Sequence, residues 1–235
     1  MLINLEFLDL GGTRVRMLPV ELKNLKKLRV LLLGYGVRIP LGVLASLERL
    51  QEPVVMLSLL ERWSAMKHLE VLRLLNLYDV VEVPANFHTR GQYHLGMLHK
   101  VYIDCCHTIS HLTWIKYAPH LEILSVIACK SMEEVVKGDQ DEEHEHEAIQ
   151  LFSCLRVLTL IGLRKLKSIY NKALPFPSLR SIYIVECDSL RKLPLNNNSA
   201  KETLLQIKGH PTWWSNLEWE DPPNERLRSK FQLYF

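Results

Sequence analysis

At 235 residues, with 48% apolar and 23% charged side chains, the chain has the composition of a soluble protein that buries a core. It is long enough for one elongated domain or two small ones. A formal net charge of +3 argues against nucleic acid as its main partner. The opening MLINLEFLDL carries Glu6 and Asp9 inside its apolar stretch, so it does not read as a signal peptide, and runs such as Val54–Leu57 are far short of a membrane span. Without a leader, five cysteines read as free thiols of a reducing compartment, which points to the cytoplasm.

Taken in chain order, one triplet, L-x-x-L-x-L, keeps returning. It appears as Leu5–Leu8–Leu10, Leu28–Leu31–Leu33, Leu69–Leu72–Leu74, Leu98–Val101–Ile103, Leu121–Leu124–Val126, Leu155–Leu158–Leu160 and Leu179–Ile182–Ile184, with a weaker copy at Leu204–Ile207. The starts are 23, 41, 29, 23, 34, 24 and 25 residues apart. Counting the first leucine as position 0, more of the unit aligns. Position 8 is Thr13, Cys106, Cys129 and Cys187. Position 11 includes Ile109, Met132, Leu166 and Leu190, and position 14 includes Leu112, Val135, Ile169 and Leu193.

Positions 3 and 5 have the period of a strand, and one such strand cannot bury its apolar face alone. Stacked copies share a continuous core and a parallel sheet, the arrangement of a leucine-rich repeat solenoid. The expected fold is α/β: a horseshoe with a parallel sheet on its concave face. Its convex side is irregular, broken by Leu18-Pro19, Val83-Pro84 and Leu193-Pro194. Eight strands spaced about 4.8 Å apart make a ladder of roughly 35–40 Å. Residues 1–200 are assigned to about eight repeats, and 201–235 to the last strand and a C-terminal cap.

Three steps exceed the period. The 41-residue step from Leu28 is read as an irregular repeat with Leu44, Leu47 and Leu50 on a short helix. The step from Leu69 has its excess near Asn86–Gly91, and the step from Leu121 has its excess in an acidic insertion at 137–148. The run Asp139–Glu147 cannot bury apolar surface, so it is expected to be solvated and dispensable for folding.

The chemistry-bearing residues do not assemble into a reactive centre. Cys105-Cys106-His107 with His111 resembles a zinc fragment, but Cys106 occupies the column of Cys129 and Cys187, and the histidines fall where other repeats place charges. The acidic insertion has nothing to fix ligand geometry. No metal or cofactor is therefore expected. Gly34-Tyr35-Gly36 is not a phosphate-binding loop, no G-x-S-x-G occurs, and no catalytic role is assigned. The position-8 residues Thr13, Cys106, Cys129 and Cys187 are read as a structural ladder whose small side chains meet neighbouring carbonyls. Asn197-Asn198-Ser199 is read as an unmodified turn, and Arg226, Arg228 and Lys230 as part of a frayed terminus.

Two segments go beyond a generic repeat. They are Phe176–Cys187 running on to Leu193-Pro194-Leu195, and Asn198–Lys201 followed by Ile207-Lys208-Gly209, Trp213-Trp214 and Leu217–Asp221. Together they resemble the C-terminal end of plant intracellular immune receptors of the coiled-coil, nucleotide-binding, leucine-rich repeat class, over Leu5 to Asp221. The resemblance implies recognition of a pathogen effector or of a host protein it modifies, and restraint of a nucleotide-binding domain. The chain starts within a repeat, so the expectation is a fragment, a truncated product or a stand-alone repeat protein. The alternative is an adaptor of another kind, such as a substrate-recognition subunit of a ubiquitin ligase.

Two surfaces follow from the residues. Trp213, Trp214, Leu217 and Trp219 follow the last strand and are expected to cap the open core. Positions 2, 4 and 6 point away from the core, and this concave face is apolar for one meeting water. Arg73, Tyr102, Asp104 and Tyr183 on it are the expected anchors for a protein partner.

Overall fold

The computed structural model describes residues 4–11, 13–33, 37, 40, 43, 46, 47, 49, 50, 52, 53, 69–75, 95–138, 151–219 and 221–234. The expectations for Asn86–Gly91, for Asp139–Glu147, for Leu44 and for the Val83-Pro84 break lie outside these residues.

The described strands pair in parallel in two sheets. The first holds β1 (Phe7–Leu10), β2 (Val30–Leu33) and β3 (Glu52–Pro53). The second holds β4 (Val71–Leu75), β5 (Lys100–Asp104), β6 (Ile123–Ile127), β7 (Val157–Ile161), β8 (Ser181–Val185), β9 (Gln206–Gly209) and β10 (Phe231–Leu233), side by side in chain order. Among the described residues the strands form a ladder of three and a ladder of seven, against the expected single ladder of eight, and Glu52–Pro53 is a strand inside the long step.

Register follows the repeat without slippage. Leu72 pairs with Val101, Val101 with Leu124, Leu124 with Leu158, Leu158 with Ile182 and Ile182 with Ile207. Each of these is a position-3 residue and each is buried. A slip of one residue would turn that whole column to solvent, which is what holds the alignment. Each such leucine or isoleucine contributes about 1.5–3 kcal/mol by leaving water. Positions 0, 5 and 11 complete the same core, from Leu69 to Leu227, and a second cluster from Leu18 to Leu50 lies under the first sheet.

The chain leaves β5, β6, β7 and β8 through a left-handed residue at position 7. Cys105, Ala128 and Glu186 have φ of 54°, 53° and 52°, and Gly162 has 68°. Their amides continue the ladder: Cys105 donates to Ile127 O at 3.0 Å, Ala128 to Ile161 O at 2.8 Å and Gly162 to Val185 O at 2.9 Å. The turn carries the next side chain inward. On the far side of the coil the backbone runs through turns and short 3₁₀ helices at Val20–Asn24, after Pro19, and at Thr113–Tyr117. Proline at 19 has no amide to give, so its position at the mouth of a helix costs no bond.

The terminus is ordered rather than frayed. Asn224 caps the helix Glu225–Ser229 by accepting from Leu227 N at 3.0 Å, and Leu227 is fully buried. The Arg226 guanidinium donates to the carbonyls of Asn197 and Ser199 at 3.1 and 3.0 Å and to Ala200 and Lys201 at 3.4 and 3.5 Å. Ala200 O also accepts from Thr203 N and Leu204 N at 3.2 and 3.1 Å, and the cation gathers the remaining carbonyls of the turn. The chain then adds β10, with Ile207 N donating to Lys230 O at 2.8 Å.

Candidate functional site

The outward row at position 4 runs Arg73, Tyr102, Ser125, Thr159, Tyr183 and Lys208 across β4 to β9, each opposite the next in register. Its ends are cationic, then aromatic, and its middle is small. The Arg73 guanidinium lies 4.7 Å from the Tyr102 ring centroid, and Lys208 Nζ lies 5.9 Å from that of Tyr183. Such contacts are worth about 0.5–1 kcal/mol at an exposed site, a bias on where the rings lie. Gln206 Nε2 donates to the Tyr183 hydroxyl at 2.7 Å and to Ser181 Oγ at 3.2 Å, which fixes that ring further. The two tyrosines stand about 14 Å apart, three strand spacings, with Ser125 and Thr159 as the floor between them.

The flanking rows are half-buried. Ile123 and Val157 line one side of the floor, and Ile127, Ile161 and Val185 the other. Asp104 is also half-buried, at the end of β5. Position 2 departs from an open face at two places: Val71 and Ser181 are buried. Side chains in register about 4.8 Å apart cover one another along a column, and over Ser181 the cover is Gln206.

The cysteine column sits inside the coil. Cys106 Sγ donates to Leu74 O at 3.5 Å and to Asp104 O at 3.3 Å, Cys129 Sγ to Ile127 O at 3.3 Å, and Cys187 Sγ to Leu160 O at 3.5 Å and Val185 O at 3.4 Å. Burial pushes the Cys187 thiol up to about 11. Cys129 is raised as well, first by its hydrogen bond with Cys106 and then by burial. Thr13 differs from the three cysteines. It is exposed, and its hydroxyl donates to Leu10 O of its own turn at 2.7 Å. His107 and His111 also depart from expectation: they are half-buried, not exposed, and His111 Nδ1 is engaged by the Thr113 hydroxyl at 3.0 Å.

The cap closes on β9. The helix Pro211–Ser215 places Trp213 in the core, its Nε1 donating to Leu190 O at 3.1 Å. Gly209 is required beneath it, since a Cβ there would lie 2.6 Å from the Trp213 ring. Trp214 stacks on Phe231 at 4.7 Å and meets Trp219 edge-on at 5.5 Å, while Leu217 is buried alongside.

Gln206 and Lys208 were not among the expected anchors. Carrying the same register onto the weak copy at Leu204 places them at positions 2 and 4 and would have found them.

The model of plant disease resistance protein RPS2-like leucine-rich repeats matches residues 65–208, more than half of the chain. The chain belongs to that family. Disease resistance protein RPS5 of Arabidopsis thaliana is 41% identical over 126 residues, covering 53% of this chain and 14% of that protein. Probable disease resistance protein At1g61300 of Arabidopsis thaliana is 28% identical, covering 99% of this chain and 38% of that protein. The chain therefore spans well under two-thirds of either relative. Among solved structures, an internalin (inlF) from Listeria monocytogenes aligns with 95% of this chain and 82% of its own at 15% identity, with a TM-score of 0.36. The repeats described above are thus the leucine-rich repeats of a plant disease-resistance protein. Among the described residues no helix is long and apolar enough to cross a membrane.

Proposed function

We propose that this chain is a protein-recognition domain of a cytoplasmic plant resistance receptor. It senses a pathogen effector or a guarded host protein, and it restrains the receptor's nucleotide-binding domain. Its role is recognition and not catalysis. The observation that supports this is the position-4 row, in which Tyr102 and Tyr183, contacted by Arg73 and Lys208, flank a small-residue floor. Tyrosine and arginine held in advance present contact area at little entropic cost, and they dominate binding energy at protein interfaces. A segment of the partner lies over Ser125 and Thr159 between the two rings, which stand too far apart for a single side chain to touch both.

The test is the pair Tyr102→Ala and Tyr183→Ala made together, with proteins captured from plant extract quantified against the unaltered chain. Losing two such anchors weakens capture of a concave-face partner about tenfold or more. A folded double variant that retains every partner at the same level would sink the proposal.

A further inference from the structure

The charges of the concave face fall in a pattern across its strands. The outward residues of β6 and β7 are Ile123, Ser125 and Ile127, then Val157, Thr159 and Ile161, all half-buried and none charged. β8 continues the uncharged block with Ser181, Tyr183 and Val185. Charge stands on either side of it. Arg73 on β4 and Lys100 on β5 come before the block, and Lys208 on β9 comes after it. Lys100 and Lys208 are separated by the width of the block, about 19 Å at the usual strand spacing.

Among the described outward residues of these strands, the carboxylate set against the three cations is Asp104, at the end of β5, where it is hydrogen-bonded with Cys105. At the rim, Arg156 pairs with Glu122 at 3.5 Å and Arg164 with Glu186 at 3.7 Å, while exposed Arg180 adds to the positive side. The face therefore keeps a positive excess, divided between its two ends by an apolar middle. Arg73 and Lys208 lie against tyrosine rings, and a cation in that position keeps N–H groups to donate.

The apolar middle decides between occupants of a positive face. A nucleic acid or other polyanion gains from cations along its whole length, and the outward positions of β6 to β8 offer it none. An apolar segment gains over that middle by leaving water. Carboxylates at its two ends meet the flanking cations, where opposite charge fixes register and rejects wrong partners.

We propose that the concave face takes a protein segment with an apolar middle and carboxylates at both ends. The middle lies over β6 and β7, and the ends reach Arg73 and Lys100 on one side and Lys208 on the other. This rests on the reading of that face as the recognition surface, and it adds the chemistry of the partner.

The test uses random peptides of about sixteen residues, long enough to cross the face as helix or strand, displayed on phage and selected on the purified chain. Selected peptides are expected to carry aspartate or glutamate on both sides of an apolar core. Their affinity is expected to fall about tenfold or more in the double variant Lys100→Glu and Lys208→Glu, since one charge-assisted contact is worth more than that factor. The charge-matched variant Lys130→Glu and Lys165→Glu, altered at exposed positions off the sheet, is expected to bind as the unaltered chain does. Selection on the first double variant is expected to return apolar cores flanked by lysine or arginine. If that variant does not fold, Lys208→Gln serves, with a smaller loss. The double variant Tyr102→Ala and Tyr183→Ala separates this inference from the reading beneath it. Peptides selected without acidic flanks that lose binding in it leave the concave face as the recognition surface and overturn the partner chemistry. Acidic-flanked peptides that bind it undiminished overturn both. Selection of no peptide, or equal loss in the charge-matched variant, also overturns the proposal.

Discussion

Three cysteines at position 8 show how little chemistry follows from residue type alone. Cys106 beside Cys105 and His107 has the look of a metal fragment, yet its thiol points into the coil and donates to main-chain carbonyls in the same manner as Cys187. A thiol pushed up to about 11 by burial is a poor nucleophile at neutral pH, since the thiolate is the reacting form. Alkylation of the native chain at pH 8 should therefore modify half-exposed Cys154 well before Cys106, Cys129 or Cys187. Peptide mass spectrometry reads the order, and early labelling of Cys187 would show that the column is not closed. Cys105 is also held above its ordinary value, first by its hydrogen bond with Asp104, so it too should lag.

At the scale of the element, the strand is easy to read and its exit is not. Apolar residues at positions 0, 3 and 5 are legible because burial of one face demands them. The left-handed turn at position 7 is hidden, because after β5 to β8 glycine marks it at Gly162, while Cys105, Ala128 and Glu186 bear the strain. For an L-residue that conformation costs about 1–2 kcal/mol, against about 0.5–1 kcal/mol of extra chain entropy for glycine. Ala128→Gly is thus expected to stabilise by a few tenths to about 1 kcal/mol, and Gly162→Ala to destabilise by a similar amount, since a Cβ at 162 has ordinary room and only the backbone objects. Denaturant midpoints decide it, and opposite signs would remove the strain argument. The strand β10 was illegible for a different reason. Phe231–Leu233 lacks the leucine triplet, and its place is set by Leu227 in the core and by Arg226 on the carbonyls of residues 197–201. Trp213→Ala should cost about 3–5 kcal/mol, the loss of a buried ring and its cavity. Arg226→Ala should cost about 1.5–3 kcal/mol through unpaired carbonyls. A melting temperature unmoved in either variant would mean that the cap does not hold the last repeat.

Over the whole molecule, the period alone carried the solenoid and the parallel register, because each depends only on which side chains must share a core. The long step after Leu28 lacks the triplet, so nothing in the pattern sets the pairing of Glu52–Pro53 with Val30–Leu31 seen among the described residues. The interactions that hold Tyr102 and Tyr183 were equally out of reach, since they join neighbouring repeats laterally and become visible only once the register is known.

The central claim is that partners meet the sheet face between Tyr102 and Tyr183. The direct measurement is site-specific photo-crosslinking inside a full-length receptor, with the photoreactive residue placed at Thr159 on the floor or at Lys130, an exposed position off the sheet. The account expects Thr159 to crosslink to a bound protein or to the receptor's own nucleotide-binding domain, and Lys130 to give background. Crosslinks from Lys130 with none from Thr159 would contradict it.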